Sequence, residues 1–112
     1  MALLTLQTIV AAGLAPTTTA AAGGGDTVAL ASATDVNSFL QVTNGGGSPI
    51  TVTLADPGTT PAGNTTTAPA NSVAAGATKL FPLNPALVNT STGVINISYS
   101  AVTSVTVAAI RR

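Results

Sequence analysis

The chain has 112 residues, zero formal net charge and six charged side chains: Asp26, Asp35, Asp56, Lys79, Arg111 and Arg112. With no His, Glu or Cys it lacks the usual base for an activated hydroxyl, a zinc ligand set and a disulfide framework. Its charged fraction of 5%, against about one quarter in a typical soluble domain, offers no basic stripe for phosphate.

No nucleic-acid partner, enzymatic activity, cofactor or metal is therefore expected. The length suits one domain able to bury a core without staples. No run of about 18 apolar residues predicts a transmembrane helix, and no membrane association is expected. The opening 22 residues lack Lys or Arg before their apolar stretch and are interrupted by Thr5, Gln7 and Thr8, which argues against a signal peptide.

Thr, Val, Ser, Asn and Gly favour strands and turns over helix, and Gly or Pro punctuates the chain at the spacing of an all-β fold. Residues 2–10 read as a first strand, with Leu4, Leu6 and Val10 on one face and Thr5 and Gln7 on the other. Residues 11–25, ending in three glycines, read as a flexible arm. Residues 26–30 read as a short strand and 38–44 as a better one, with Leu40 and Val42 opposite Phe39 and Gln41.

The segment Asn44-Gly45-Gly46-Gly47-Ser48 predicts a hairpin turn. Ile50 to Leu54 alternates strictly, with Ile50, Val52 and Leu54 inward. Residues 55–58 turn, and 57–70, with Pro57, Pro61 and Pro69 among Thr, Ala and Asn, form a long loop suited to contacts. Residues 72–76 read as a turn, 79–83 as a strand and 84–92 as irregular. Two last strands follow: 94–99, with Ile95, Ile97 and Tyr99 on one face, and 104–110, with Val105 and Val107 inward.

The sum is an all-β fold, a single antiparallel β-sandwich (jelly-roll or immunoglobulin-like) of about seven or eight strands. It divides into an N-terminal strand and arm, 1–25, and a sandwich domain, 26–112. The three aspartates read as turn residues. The glycine triplets lack the Lys-Ser/Thr and helix of a phosphate loop. Pro57, Pro61 and Asn64 of the long loop, with Arg111 and Arg112 at the end, are the candidate partner contacts.

The chain resembles a family of small bacteriophage virion proteins, the capsid decoration (cement) or minor capsid proteins. The likeness is carried by Ala22-Gly23-Gly24-Gly25-Asp26, Phe39-Leu40-Gln41-Val42-Thr43-Asn44-Gly45-Gly46 and Ser48-Pro49-Ile50-Thr51-Val52-Thr53. It continues through Val73-Ala74-Ala75-Gly76-Ala77-Thr78, Phe81-Pro82-Leu83 and the ending Ile97-Ser98-Tyr99-Ser100-Ala101-Val102-Thr103-Ser104-Val105-Thr106-Val107-Ala108.

The resemblance implies a non-enzymatic protein, made in the host cytoplasm and placed on the capsid exterior. Its partner would be the major capsid protein, and self-association, as a trimer for instance, would suit the lattice. Strand addition at a sheet edge and ordering of the arm are the expected contact devices. Two other readings stand beside it: a secreted or cell-surface adhesion or carbohydrate-binding module, and a phage tail or fibre component.

Overall fold

β-Branched residues alternating with small polar ones turn most of this chain into strands. The structure, a computed structural model, describes residues 2–30, 34, 36–64, 68 and 70–112. The described residues are nearly all β. The strands are β1 (Ala2–Leu4), β2 (Leu6–Thr8), β3 (Thr19–Ala20), β4 (Asp26–Val28), β5 (Ser38–Asn44), β6 (Ile50–Leu54), β7 (Ala70–Val73), β8 (Thr78–Pro82), β9 (Ile95–Tyr99) and β10 (Val105–Arg111). One turn of 3-10 helix, Pro85–Leu87, is capped by Asn84, whose Oδ1 accepts from the Ala86 N–H.

The strands form two sheets. The first has the order β1-β4-β9-β6-β7; the second has β2-β10-β5-β8, with β3 also beside β10. Both sheets are mixed rather than purely antiparallel, because β1 runs parallel to β4 and β2 parallel to β10. The cause is the N-terminal segment, which is two strands and not the expected single one. It breaks at Thr5 and passes from the first sheet to the second.

Four of the antiparallel pairs nest, β6–β7 inside β5–β8, that inside β4–β9 and that inside β3–β10. The pairings β5–β10 and β6–β9 then join the nested pairs into the two sheets.

One core fills the space between the sheets. Val28, Ile50, Val52, Val73, Ile95 and Ile97 come from the first sheet and Leu40, Val42, Phe81, Val105, Val107 and Ala109 from the second. The alternation expected for β5 and β6 is observed, with Leu40, Val42 and Val52 fully buried between half-buried neighbours. Leu4 and Ala21, from the N-terminal 25 residues, belong to this same core. Val10, expected on one strand face with Leu4 and Leu6, lies beyond β2 and is exposed.

Residues 9–18 lie between β2 and β3 and are held by a side chain acting as a strand would. The Gln7 amide donates to the Thr17 carbonyl and accepts from the Thr17 N–H, both at 2.8 Å.

The expected hairpin at 44–48 is a crossover between sheets. β5 pairs with β10 and β8, β6 with β7 and β9, and the two never pair with each other. Asn44 fixes this arch. Fully buried, it donates through Nδ2 to the carbonyls of Ser48 (2.8 Å) and Val73 (3.1 Å), and its Oδ1 accepts from the Gly46 N–H (3.0 Å). The bond to Val73 ties the second sheet to the first. Such a satisfied buried amide specifies one arrangement of the chain around it.

Asp26, expected as a turn residue, follows the Ala22–Gly25 turn but is wholly buried as the first residue of β4. Its Oδ2 accepts from the Tyr99 hydroxyl at 2.7 Å and from the Ala22 N–H at 3.3 Å, while Oδ1 has no hydrogen-bond partner. The turn before it demands glycine. Gly25 has φ +93°, and a Cβ there would stand 2.4 Å from the Ile97 carbonyl oxygen. Asp56 does cap a turn, its Oδ1 accepting from the Gly58 N–H at 2.9 Å. Asp35 lies outside the described residues.

Candidate interaction surface

A β-sheet presents alternate residues to opposite faces, so the register of the second sheet fixes what its outer face carries. Ile110 pairs with Phe39 and Phe39 with Pro82; Ala108 pairs with Gln41 and Gln41 with Leu80; Thr106 pairs with Thr43 and Thr43 with Thr78. Gln7 lies beside Ile110 and Ala20 beside Thr106. These three rows hold no charged side chain. Ile110 and Ala108 stand apart from the main core cluster but are themselves buried, so the open apolar part of this face is Leu80 and Pro82 with half-buried Phe39 beside them.

The apolar rows end in Leu80, which is 59% exposed. The third row is held by a hydrogen bond between the Thr43 and Thr78 hydroxyls at 3.0 Å. The outer face of the first sheet differs in kind. There Thr51 pairs with Ser72, Thr53 with Ala70 and Ser98, and Thr27 with Asn96. Apart from exposed Leu3, which pairs with Thr27 on edge strand β1, that face is hydroxyl and amide; the other is apolar with a hydroxyl margin.

Charge is kept to the rim. Lys79 pairs with Val42 and therefore sits on the core-facing side of edge strand β8, although it is exposed. A lysine in that orientation, with Pro82 in the same strand, guards an edge against added strands. The expected device of strand addition is thus opposed at β8.

The sequence-derived contacts fall at one end of the molecule. Arg111 pairs with Ser38 at the start of β5, and the Arg112 N–H donates to the Asn37 carbonyl. Because 45–49 is an arch, the end of β6 returns to that same end, carrying Pro57, Pro61 and Asn64 in the loop that follows. All three are exposed. Thr60 closes the loop on itself, its N–H donating to the Asn64 carbonyl at 2.7 Å and its hydroxyl accepting from the Asn64 N–H at 3.2 Å. Arg111 is half-buried and Arg112 exposed.

A groove of about 360 Å³ opens at this end, lined by Leu54, Phe81, Pro82 and Leu87 with Asp56, Asn71 and Asn84. Among the described residues no three His, Cys, Asp or Glu side chains stand together.

Sequence reading did not single out Phe39, Leu80, Pro82 or Ile110. One signal was present: Phe39 alternates with Leu40 and Val42 and so had to face away from the core. No family model, curated protein or solved structure matches the chain.

Proposed function

We propose that this chain is a jelly-roll structural protein of a bacteriophage virion, bound to the outside of the capsid through the lattice of major capsid protein. The nested pairing of β3–β10, β4–β9, β5–β8 and β6–β7 is that of a hairpin rolled into two sheets, an architecture shared by viral capsid and lectin domains. It favours the jelly-roll over the immunoglobulin-like form of sandwich.

The observation that carries the function is the chargeless outer face of the second sheet where it opens over β5 and β8, with Leu80 and Pro82 exposed and Phe39 half-buried beside them. The whole outer face, four strands wide and about five residues long, spans roughly 300–400 Å², and only the part over β5 and β8 is open, since Ile110 and Ala108 of β10 are buried. A standard stable interface needs about 800 Å² per partner. The face alone is too small for a tight pair in solution. On an assembled shell it acts together with the loop 55–64 and the C-terminal arginines, and combined contacts bind far more tightly than any one of them. Binding the assembled lattice and not free subunits stabilises the shell by mass action.

Self-association around local threefold positions, as trimers, would suit such a lattice. A sugar-binding role draws less support. Among the three aromatic residues Phe81 is buried, Tyr99 is half-buried and bonded to Asp26, and Phe39 is half-buried, so none offers a fully exposed ring for a sugar to stack on. Electron microscopy of purified particles tests the proposal. Density for this chain on the outer surface of the head is expected; density confined to the tail, or none, would overturn it.

A further inference from the structure

Asn44 is the one asparagine in this chain followed by glycine. In an extended, mobile chain that pair is reactive. The Gly45 backbone nitrogen attacks the Asn44 side-chain carbon Cγ, the new N–Cγ bond forms, and the Cγ–Nδ2 bond breaks. Nδ2 leaves as ammonia, carrying the proton lost by Gly45. Water then opens the succinimide ring at either carbonyl carbon, giving aspartate or isoaspartate. Glycine speeds ring closure because it has no side chain to obstruct it.

In the fold each participant is held. Nδ2 is engaged by the carbonyls of Ser48 and Val73, and Oδ1 by the Gly46 N–H. The attacking nitrogen is engaged too, its N–H donating to the Ser104 carbonyl at 2.9 Å. The Asn44 side chain has no exposure to water.

The glycine that creates the liability is also one the fold requires. A Cβ at Gly45 would lie 2.9 Å from the Ser104 carbonyl oxygen, and Ser104 itself is fixed at φ 58°.

We propose that Asn44 is a fold-gated deamidation site: the closed arch holds it unreactive, and any chain whose arch stays open converts it irreversibly and loses the ability to close. The product cannot rebuild the site. A carboxylate has no hydrogens for the Ser48 and Val73 carbonyls, so both acceptors would face a negative oxygen. Isoaspartate would also add one atom to the main chain at the last residue of β5. The pair acts as a one-way timer on unfolded chain, removing aged copies from the pool that can assemble.

The test holds the full chain at mildly alkaline pH with and without guanidinium chloride, and follows Asn44 by intact mass and peptide mapping. Conversion is expected in denaturant, and slower by roughly 10³-fold or more in the native sample. On removal of denaturant, the unconverted fraction should refold and the converted fraction should remain unfolded. Equal rates in both samples, or converted chains that refold with the native midpoint, would overturn the proposal. Gly45→Ala, measured only in denaturant where folding is not at issue, should slow conversion; an unchanged rate would also overturn it.

Discussion

The Tyr99 hydroxyl donates to Asp26 Oδ2 at 2.7 Å, joining residues 73 positions apart on the core-facing side of β4 and β9. It is a principal partner of a buried carboxylate whose other oxygen has none. Tyr99→Phe should therefore cost about 1–3 kcal/mol, the penalty for leaving a buried polar group short of a partner. Urea unfolding checks it, with the midpoint lowered and the m-value unchanged.

The same contact sets the alkaline limit. Burial, then the hydrogen bond and charge of Asp26, push the Tyr99 phenol well above its ordinary range. A group whose pKa is raised by folding stabilises the protein fully below its unfolded pKa, about 10 for tyrosine, and that contribution is lost as pH climbs beyond it. Stability should fall above about pH 10, and tyrosinate absorbance should appear together with unfolding. In Tyr99→Phe the alkaline decline should be shallower; an equal decline would assign it to other groups.

Two glycines with nearly equal φ should respond differently to alanine. Gly25, at φ +93°, would drive a Cβ to 2.4 Å from the Ile97 carbonyl, whereas Gly13, at φ +92°, has nothing within 4 Å. Gly13→Ala should cost about 1 kcal/mol, the strain of a left-handed alanine. Gly25→Ala should cost several times more, since β4 must move off β9 and disturb Asp26. Thermal midpoints of the two variants check this.

Removing residues 1–8 should destabilise the body rather than trim an arm. Leu4 is buried and Leu6 packs on the core, so the loss should reach about 2–5 kcal/mol, as for a deleted core leucine. Circular dichroism of the truncated chain gives the readout. A deletion that leaves the unfolding midpoint unchanged would make β1 and β2 accessory.

Much of the sheet interior was legible in sequence. The alternation of Leu40 with Val42 and of Ile50 with Val52 gave β5 and β6 with their ends and faces, because a period of two needs only neighbours. The link between them was not legible. Gly45-Gly46-Gly47 suits a hairpin and an arch equally, and the choice rests on Asn44 meeting Val73, 29 residues away. Asp26 was misread for the same reason: behind three glycines it resembles a turn cap, and Tyr99 buries it from the far end of the chain. The outer face needed three strands in register before Phe39, Leu80 and Ile110 became one surface. Pro57, Pro61, Asn64 and the two arginines were visible singly, but their shared end of the molecule was not.

Binding to heads should depend little on salt. Exposed charges weaken steeply as the screening length shortens from about 30 Å at 0.01 M to about 8 Å at 0.15 M, whereas an apolar face does not. A steep loss of occupancy over that range would shift the contact to Arg111, Arg112 and Lys79.

The most direct measurement is co-sedimentation of purified chain with heads that lack it, comparing Leu80→Arg with Thr53→Arg. Both substitutions lie on solvent-facing sides of strands, and each should leave the unfolding free energy within about 0.5 kcal/mol of the parent. Leu80→Arg should abolish binding by placing a charge in the apolar rows, and Thr53→Arg, on the hydroxyl face, should bind as the parent does. Retained binding by Leu80→Arg, or loss only in Thr53→Arg, would contradict the assignment of the second sheet's outer face as the surface that meets the shell.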